Sequence, residues 1–81
     1  MEFLATELFL KEFEKIKDKP TKDRLIKQIE KILKNPDIGK PLRHDLKGER
    51  TVHMKSYRII YKMENKSITF LRFEHRKEVY K

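Results

Sequence analysis

Between residues 56 and 63 the chain reads Ser-Tyr-Arg-Ile-Ile-Tyr-Lys-Met, and no other stretch restricts the possible folds as strongly. β-Branched and aromatic residues suit a pleated, half-buried surface, and successive side chains of a strand go to opposite faces. A strand here puts Tyr57, Ile59, Tyr61 and Met63 on one side and Arg58, Ile60 and Lys62 on the other. The first set is core-facing, and the second carries two cations. An arginine on a strand more often simply faces water, so the pattern alone establishes a sheet and leaves the role of Arg58 open.

The neighbouring segments supply partners for that strand. In Arg50-Thr51-Val52-His53-Met54 the apolar Val52 and Met54 alternate with Thr51 and His53, which reads as a second strand. With Lys55-Ser56 as the hairpin loop, Met54 lies opposite Tyr57, His53 opposite Arg58 and Val52 opposite Ile59. Downstream, Glu64-Asn65-Lys66 reads as a turn and Ser67 to Phe73 as a further strand, apolar on both faces and so suited to a central or near-central place. A two-residue loop at Asn65-Lys66 puts Leu71 and Phe73 on the Arg58 face, and one added residue reverses the assignment. Phe73 is accordingly either core, the favoured reading, or a platform for stacking a base.

The first half of the chain has the helical period instead. Residues 2 to 5 are expected to form at most a short first strand, after which Thr6 caps a helix from Glu7 to Lys17 with Phe9, Phe13 and Ile16 on its apolar stripe. Asp18-Lys19-Pro20-Thr21 interrupts the pattern, and with Thr21 as cap a second helix is expected over about Lys22 to Lys34, carrying Leu25, Ile26, Ile29, Ile32 and Leu33 along one face. Asn35-Pro36 closes it, and Asp37 to Pro41 reads as a connection. Two helices joined this closely are expected to form an antiparallel hairpin, followed by the strands of the second half. Eighty-one residues suffice for one domain with one core, expected over 1–81.

Charge narrows the function. The formal net charge of +8 is unevenly distributed: residues 1 to 40 hold ten Lys/Arg and eight Asp/Glu (+2), and residues 41 to 81 hold eleven and five (+6). A basic half suggests a polyanionic partner, nucleic acid or an acidic protein. The charge-rich surface of a heat-adapted protein explains much of the charged content but favours mixed signs, not a one-sided excess. The chain has no cysteine, and His44, His53 and His75 lack a zinc-binding spacing, so no metal and no cofactor are expected. The longest apolar run is far short of a membrane span, and Glu2 and Glu7 stand where a signal peptide carries cations. A cytoplasmic protein that does not associate with membranes is expected.

Taken in order, the helical hairpin, Leu46-Lys47-Gly48, Tyr57-Arg58-Ile59-Ile60-Tyr61 and His75-Arg76-Lys77-Glu78-Val79-Tyr80 resemble the RelE/ParE superfamily of toxin-antitoxin toxins over the whole chain. The RelE branch is the nearer likeness. The resemblance implies a compact α+β fold with a curved, mainly antiparallel sheet backed by the hairpin. RelE-type members cleave mRNA in the ribosomal A site and are silenced by a RelB-like antitoxin that wraps around them, whereas ParE-type members poison DNA gyrase. Carried over by position, Arg58 matches the arginine of the Tyr-Arg strand, Lys47 the basic residue of the Leu-basic-Gly turn, and Arg76 and Tyr80 the C-terminal basic-to-tyrosine motif. The preceding strand departs from the family, where lysines are frequent, by offering Thr51, His53 and Lys55 outward.

Metal-independent cleavage of RNA needs a base for the 2′-hydroxyl proton, cations for the charged phosphorane and an acid for the 5′-oxygen. The planar fork of Arg58 suits the phosphorane, with Arg76 as a second clamp. An unperturbed imidazole titrates near neutrality, which favours His53 as base over Lys47 or Lys55, whose amines need a depressed pKa. Tyr80 can donate a proton or stack on a base. Arg43, Arg50, Lys55, Lys62 and Lys77 complete the expected RNA contacts. A non-catalytic RNA- or ribosome-binding module is the alternative outside both toxin branches.

Overall fold

The computed structural model describes residues 2–41, 48–54 and 56–75. Strand β1 (Glu2–Ala5) leads into helix α1 (Glu7–Lys15) and helix α2 (Lys19–Lys34). A single 3₁₀ turn (Pro36–Ile38) and a two-residue strand β2 (Lys40–Pro41) then precede β3 (Glu49–Met54), β4 (Tyr57–Glu64) and β5 (Ser67–His75). The described strands form one open sheet in the order β1-β5-β4-β3-β2, antiparallel except for the β1–β5 pair. No helix among the described residues is long and apolar enough to cross a membrane.

Both helices start where local chemistry satisfies their free N–H groups. Thr6 caps α1, its hydroxyl oxygen accepting from Phe9 N at 3.1 Å. Helix α2 begins earlier than the expected Lys22: Asp18, not Thr21, is its cap, accepting from Thr21 N at 3.1 Å, and also from the Thr21 hydroxyl. Pro20 sits in the first turn, where its missing N–H has no partner to lose. The Thr21 hydroxyl and amide hold the Asp18 carboxyl below its ordinary value. Helix α1 ends two residues sooner than the expected Lys17, because Ile16 is already extended, with its N–H on Phe13 O.

The apolar stripes meet on one face of the sheet. Phe9 of α1, Ile16 just past its end, and Leu25 and Ile32 of α2 are buried against Met54, Ile59, Tyr61, Ile68, Phe70 and Phe73. Strand β3 pairs with β4 in the register expected from sequence, Met54 opposite Tyr57, Val52 opposite Ile59 and His53 opposite Arg58. Gly48, just before β3, has φ +74°, and a Cβ there would stand 2.6 Å from the Met63 carbonyl oxygen. Glycine is the residue that this approach admits.

The β4–β5 pairing bears out the favoured reading of Phe73 as core, by a route the loop length does not show. The loop is the two-residue Asn65-Lys66, with Glu64 opposite Ser67, yet Phe73 lies opposite Ile59 in the core and not on the Arg58 face. The extra residue that reverses the assignment lies within the strand: Tyr61 faces Phe70 and Ile60 faces Arg72, leaving Leu71 as a β-bulge. A bulge shifts the alternation by one, so Phe73 turns inward and stacks on Tyr57 with ring centroids 4.6 Å apart. One residue further on, Glu74 becomes the cross-strand partner of Arg58.

The bulge is fixed from the other end of the fold. Thr6 donates its hydroxyl to Leu71 O at 2.6 Å and its amide to Phe70 O at 3.0 Å. One side chain therefore caps α1 and occupies the bulge carbonyl. Thr6→Ala is expected to cost about 1–2 kcal/mol, the range of a lost cap, with Thr6→Ser recovering most of it. Urea midpoints of the three chains check this, and a loss under about 0.5 kcal/mol, ordinary for a surface change, would show that the double role is energetically empty.

Candidate functional site

The sheet face away from the helices carries the candidate site. Alternation places Arg58, Ile60 and Lys62 of β4 there, with Glu49, Thr51 and His53 of β3 on one side and Thr69, Arg72 and Glu74 of β5 on the other. His53 and Arg58 are direct cross-strand partners, a relation that brings Cβ atoms to roughly 4.5–5.5 Å. The face is not uniformly open, since Ile60 is fully buried and Thr51 nearly so. Arg58 is 31% exposed.

Glu74 organises the cations. Its Oε1 accepts from Arg58 Nε at 3.0 Å and Nη2 at 2.8 Å, and its Oε2 accepts from Arg72 Nε at 3.2 Å. One carboxylate thus bridges two guanidiniums, with the shorter contact to Arg58 and the longer to Arg72. Sequence reading missed both Glu74 and Arg72, because the bulge inverts the faces of everything after Leu71. Lys62 shares the face, with its ammonium 3.6 Å from Glu64.

Arg50, expected among the RNA contacts, stands on the opposite face, beside Tyr61 in the pairing. Its Nη1 donates to Gly39 O at 2.7 Å and its Nη2 lies 3.6 Å from Asp37 Oδ1. It ties the segment between α2 and β2 to the sheet. Tyr61 reinforces that tie, its hydroxyl donating to Pro36 O at 2.6 Å and accepting from Gly39 N at 3.0 Å. Burial pushes the Tyr61 phenol above its ordinary pKa, opposed by the Gly39 amide and the Arg50 charge. Arg43, Lys47, Lys55, Arg76, Lys77 and Tyr80 lie outside the described residues. Of the expected site, Arg58, His53 and Lys62 are brought to one face.

A family model described as the ParE toxin of the type II toxin-antitoxin system, parDE, matches residues 4–80. The chain belongs to the RelE/ParE superfamily of toxins. Among RelE/ParE relatives, a putative toxin RelE4 of Methanocaldococcus jannaschii is 34% identical over 68 residues, covering 80% of this chain and 72% of its own length. The isolated RelE toxin of E. coli superimposes with a TM-score of 0.79 at 25% identity, over 99% of this chain and 92% of the other. The E. coli RelBE toxin-antitoxin complex contains a chain of equal TM-score, 0.79, at 23% identity, covering 93% of this chain and 96% of that one. The superfamily and the fold implied by the sequence resemblance are thus both found: two helices on a five-stranded, mostly antiparallel open sheet.

Proposed function

We propose that this chain is a ribosome-dependent endoribonuclease, a toxin that cuts mRNA in the A site and is held inactive by a cognate RelB-like antitoxin. The observation that supports it best is Arg58, a guanidinium on the sheet face away from the core with an imidazole across from it. In the proposed reaction His53 takes the 2′-hydroxyl proton, the 2′-oxygen attacks the adjacent phosphorus, and Arg58 holds the equatorial oxygens as negative charge accumulates. The P–O bond to the 5′-oxygen breaks, that oxygen is protonated, and a 2′,3′-cyclic phosphate remains. Protons and charge balance without a metal.

By resemblance, Arg76 is a second phosphate clamp, Tyr80 the proton donor or a stacking ring, and Lys47 a further cation beside the scissile phosphate. Arg43, Lys55, Lys62 and Lys77 would track the RNA backbone. Arg50 is left to the scaffold, since its contacts are to the α2–β2 connection. For the antitoxin, the reading rests on the RelE relatives crystallised with RelB. An amphipathic segment that folds as it binds suits the apolar and basic surfaces.

The ParE name of the matching family model favours one second reading, a gyrase poison that has no use for Arg58 as a catalytic group. Primer extension on mRNA from a translating extract separates the two. New 5′ ends at A-site positions with the wild-type chain, absent with Arg58→Ala, are the expected result. Intact mRNA at doses of wild type that stop growth would end the nuclease reading and move the target to gyrase.

A further inference from the structure

The Arg58–Glu74–Arg72 bridge has the form of an occupied anion site. We infer that Arg58 and Arg72 together form a cradle for one phosphodiester of RNA, and that Glu74 is its built-in competitor, displaced when RNA binds. The inference rests on the reading of this face as an RNA-cleaving site and extends it to two residues, Arg72 and Glu74, outside the catalytic set.

Three observations carry it. First, the contacts are those that a phosphate oxygen demands: Glu74 Oε1 takes two donors from the Nε/Nη2 edge of Arg58, and Oε2 takes the Nε of Arg72, all between 2.8 and 3.2 Å. Bidentate capture by the guanidinium edge serves carboxylate and phosphate alike. Second, the three side chains are reachable, at 31%, 29% and 36% exposure for Arg58, Glu74 and Arg72. Each is open to solvent along one side, so a ligand can approach the bridge from the free face of the sheet. Third, the β-bulge at Leu71 is what turns Arg72 and Glu74 to this face. Without it Phe73 would stand across from Arg58.

The competitor has a definite effect. In the free chain Arg58 is charge-compensated, so a single stray phosphate gains little by replacing Glu74. A strand whose other phosphates are already engaged along the basic face does displace it, and the freed carboxylate can swing into water. Glu74 therefore sets a threshold that favours RNA held in register over loose polyanions.

The test uses the full chain and a single-stranded 2′-O-methyl RNA, which cannot be cleaved because its 2′-oxygen is blocked. Its affinity is read by fluorescence anisotropy at several salt concentrations for wild type, Glu74→Gln, Arg72→Gln and the double variant. Glu74→Gln is expected to bind about tenfold more tightly or better, with a log–log salt slope steeper by about 0.7, the increment of one further single-strand phosphate contact. Arg72→Gln is expected to cancel that gain in the double variant. Glu74→Asp, which keeps the charge on a shorter stem, should lie between wild type and Glu74→Gln, and it serves as the second variant if glutamine disturbs folding.

Unchanged or weaker binding by Glu74→Gln overturns the inference, since the carboxylate would then be holding Arg58 in place for RNA. It is overturned equally if Arg72→Gln leaves the gain intact, or if none of the chains binds RNA. Failure of the nuclease reading appears elsewhere, as uncut mRNA in a translating extract. Tighter binding by Glu74→Gln without any cleavage would keep the cradle and discard the nuclease.

Discussion

Arg58→Lys is expected to lose about 10²–10³ in the single-turnover rate of mRNA cleavage, the range seen when one preorganised donor to a developing charge is removed. The charge is conserved in this variant, so its loss tests geometry. Lysine offers a point charge on a flexible stem, whereas the guanidinium edge presents two fixed donors, and Glu74 already demonstrates that both reach one oxygen. Arg58→Ala should fall at least as far. Because the side chain is about a third exposed and its partners lie on the surface of the sheet, the unfolding midpoint should move little. A Lys variant that keeps wild-type turnover would show that Arg58 supplies only long-range attraction for RNA, and the phosphorane would need another partner.

Gly39→Ala is the substitution with the largest expected effect on stability. The residue is buried, and an added methyl would lie 2.5 Å from the Tyr61 hydroxyl oxygen, 2.9 Å from its ring and 3.0 Å from Arg50 Cβ. Relief requires the ring to retreat, which breaks the hydrogen bonds to Pro36 O and from Gly39 N. Overpacking and the stranded polar groups together predict a loss of about 2–4 kcal/mol. For a domain this small, that means about 4–8 °C in melting temperature for each kcal/mol. Melting should show a second signature. The folded phenol has a raised pKa, so the network's contribution is complete below the ordinary tyrosine value and is lost as pH rises through the folded one. Wild type should therefore weaken above about pH 10, and Tyr61→Phe should lack that alkaline step. A change of less than about 0.5 kcal/mol in Gly39→Ala, typical of surface substitutions, would mean that the α2–β2 connection yields freely.

The register of β3 against β4 was readable from sequence because two constraints agreed, the short loop at Lys55-Ser56 and the alternation of Val52 and Met54 with His53. Arg50 was equally readable and was misplaced. Period two puts it with Val52 and Met54 on the helix side. Glu74 and Arg72 were hidden for a different reason. A bulge requires no glycine and no special composition, and Leu71 resembles any apolar strand residue. Its trace is in the spacing of the buried side chains, two from Ile68 to Phe70 and then three from Phe70 to Phe73. The apolar character of both faces, read as a strand covered on both sides, is one core face interrupted by an inserted residue. The start of α2 is ambiguous in sequence because Asp18 and Thr21 are both capping residues, and a proline that suits a helix end suits a first turn equally.

The pairing of β1 with β5 joins residues 2–5 to residues 67–70, and Thr6 reaches across the same 65-residue separation to the bulge. Contacts so distant along the chain are costly to close and form late. During synthesis, therefore, α1 and α2 can coil early, but they have no sheet to bury Phe9 against until β5 has left the ribosome. Arg58 emerges before the strand that carries Glu74 and Arg72, so the cation-bearing face stays incomplete until β5 follows. Until residues 72–74 are out, a ribosome making this chain carries the candidate site unassembled.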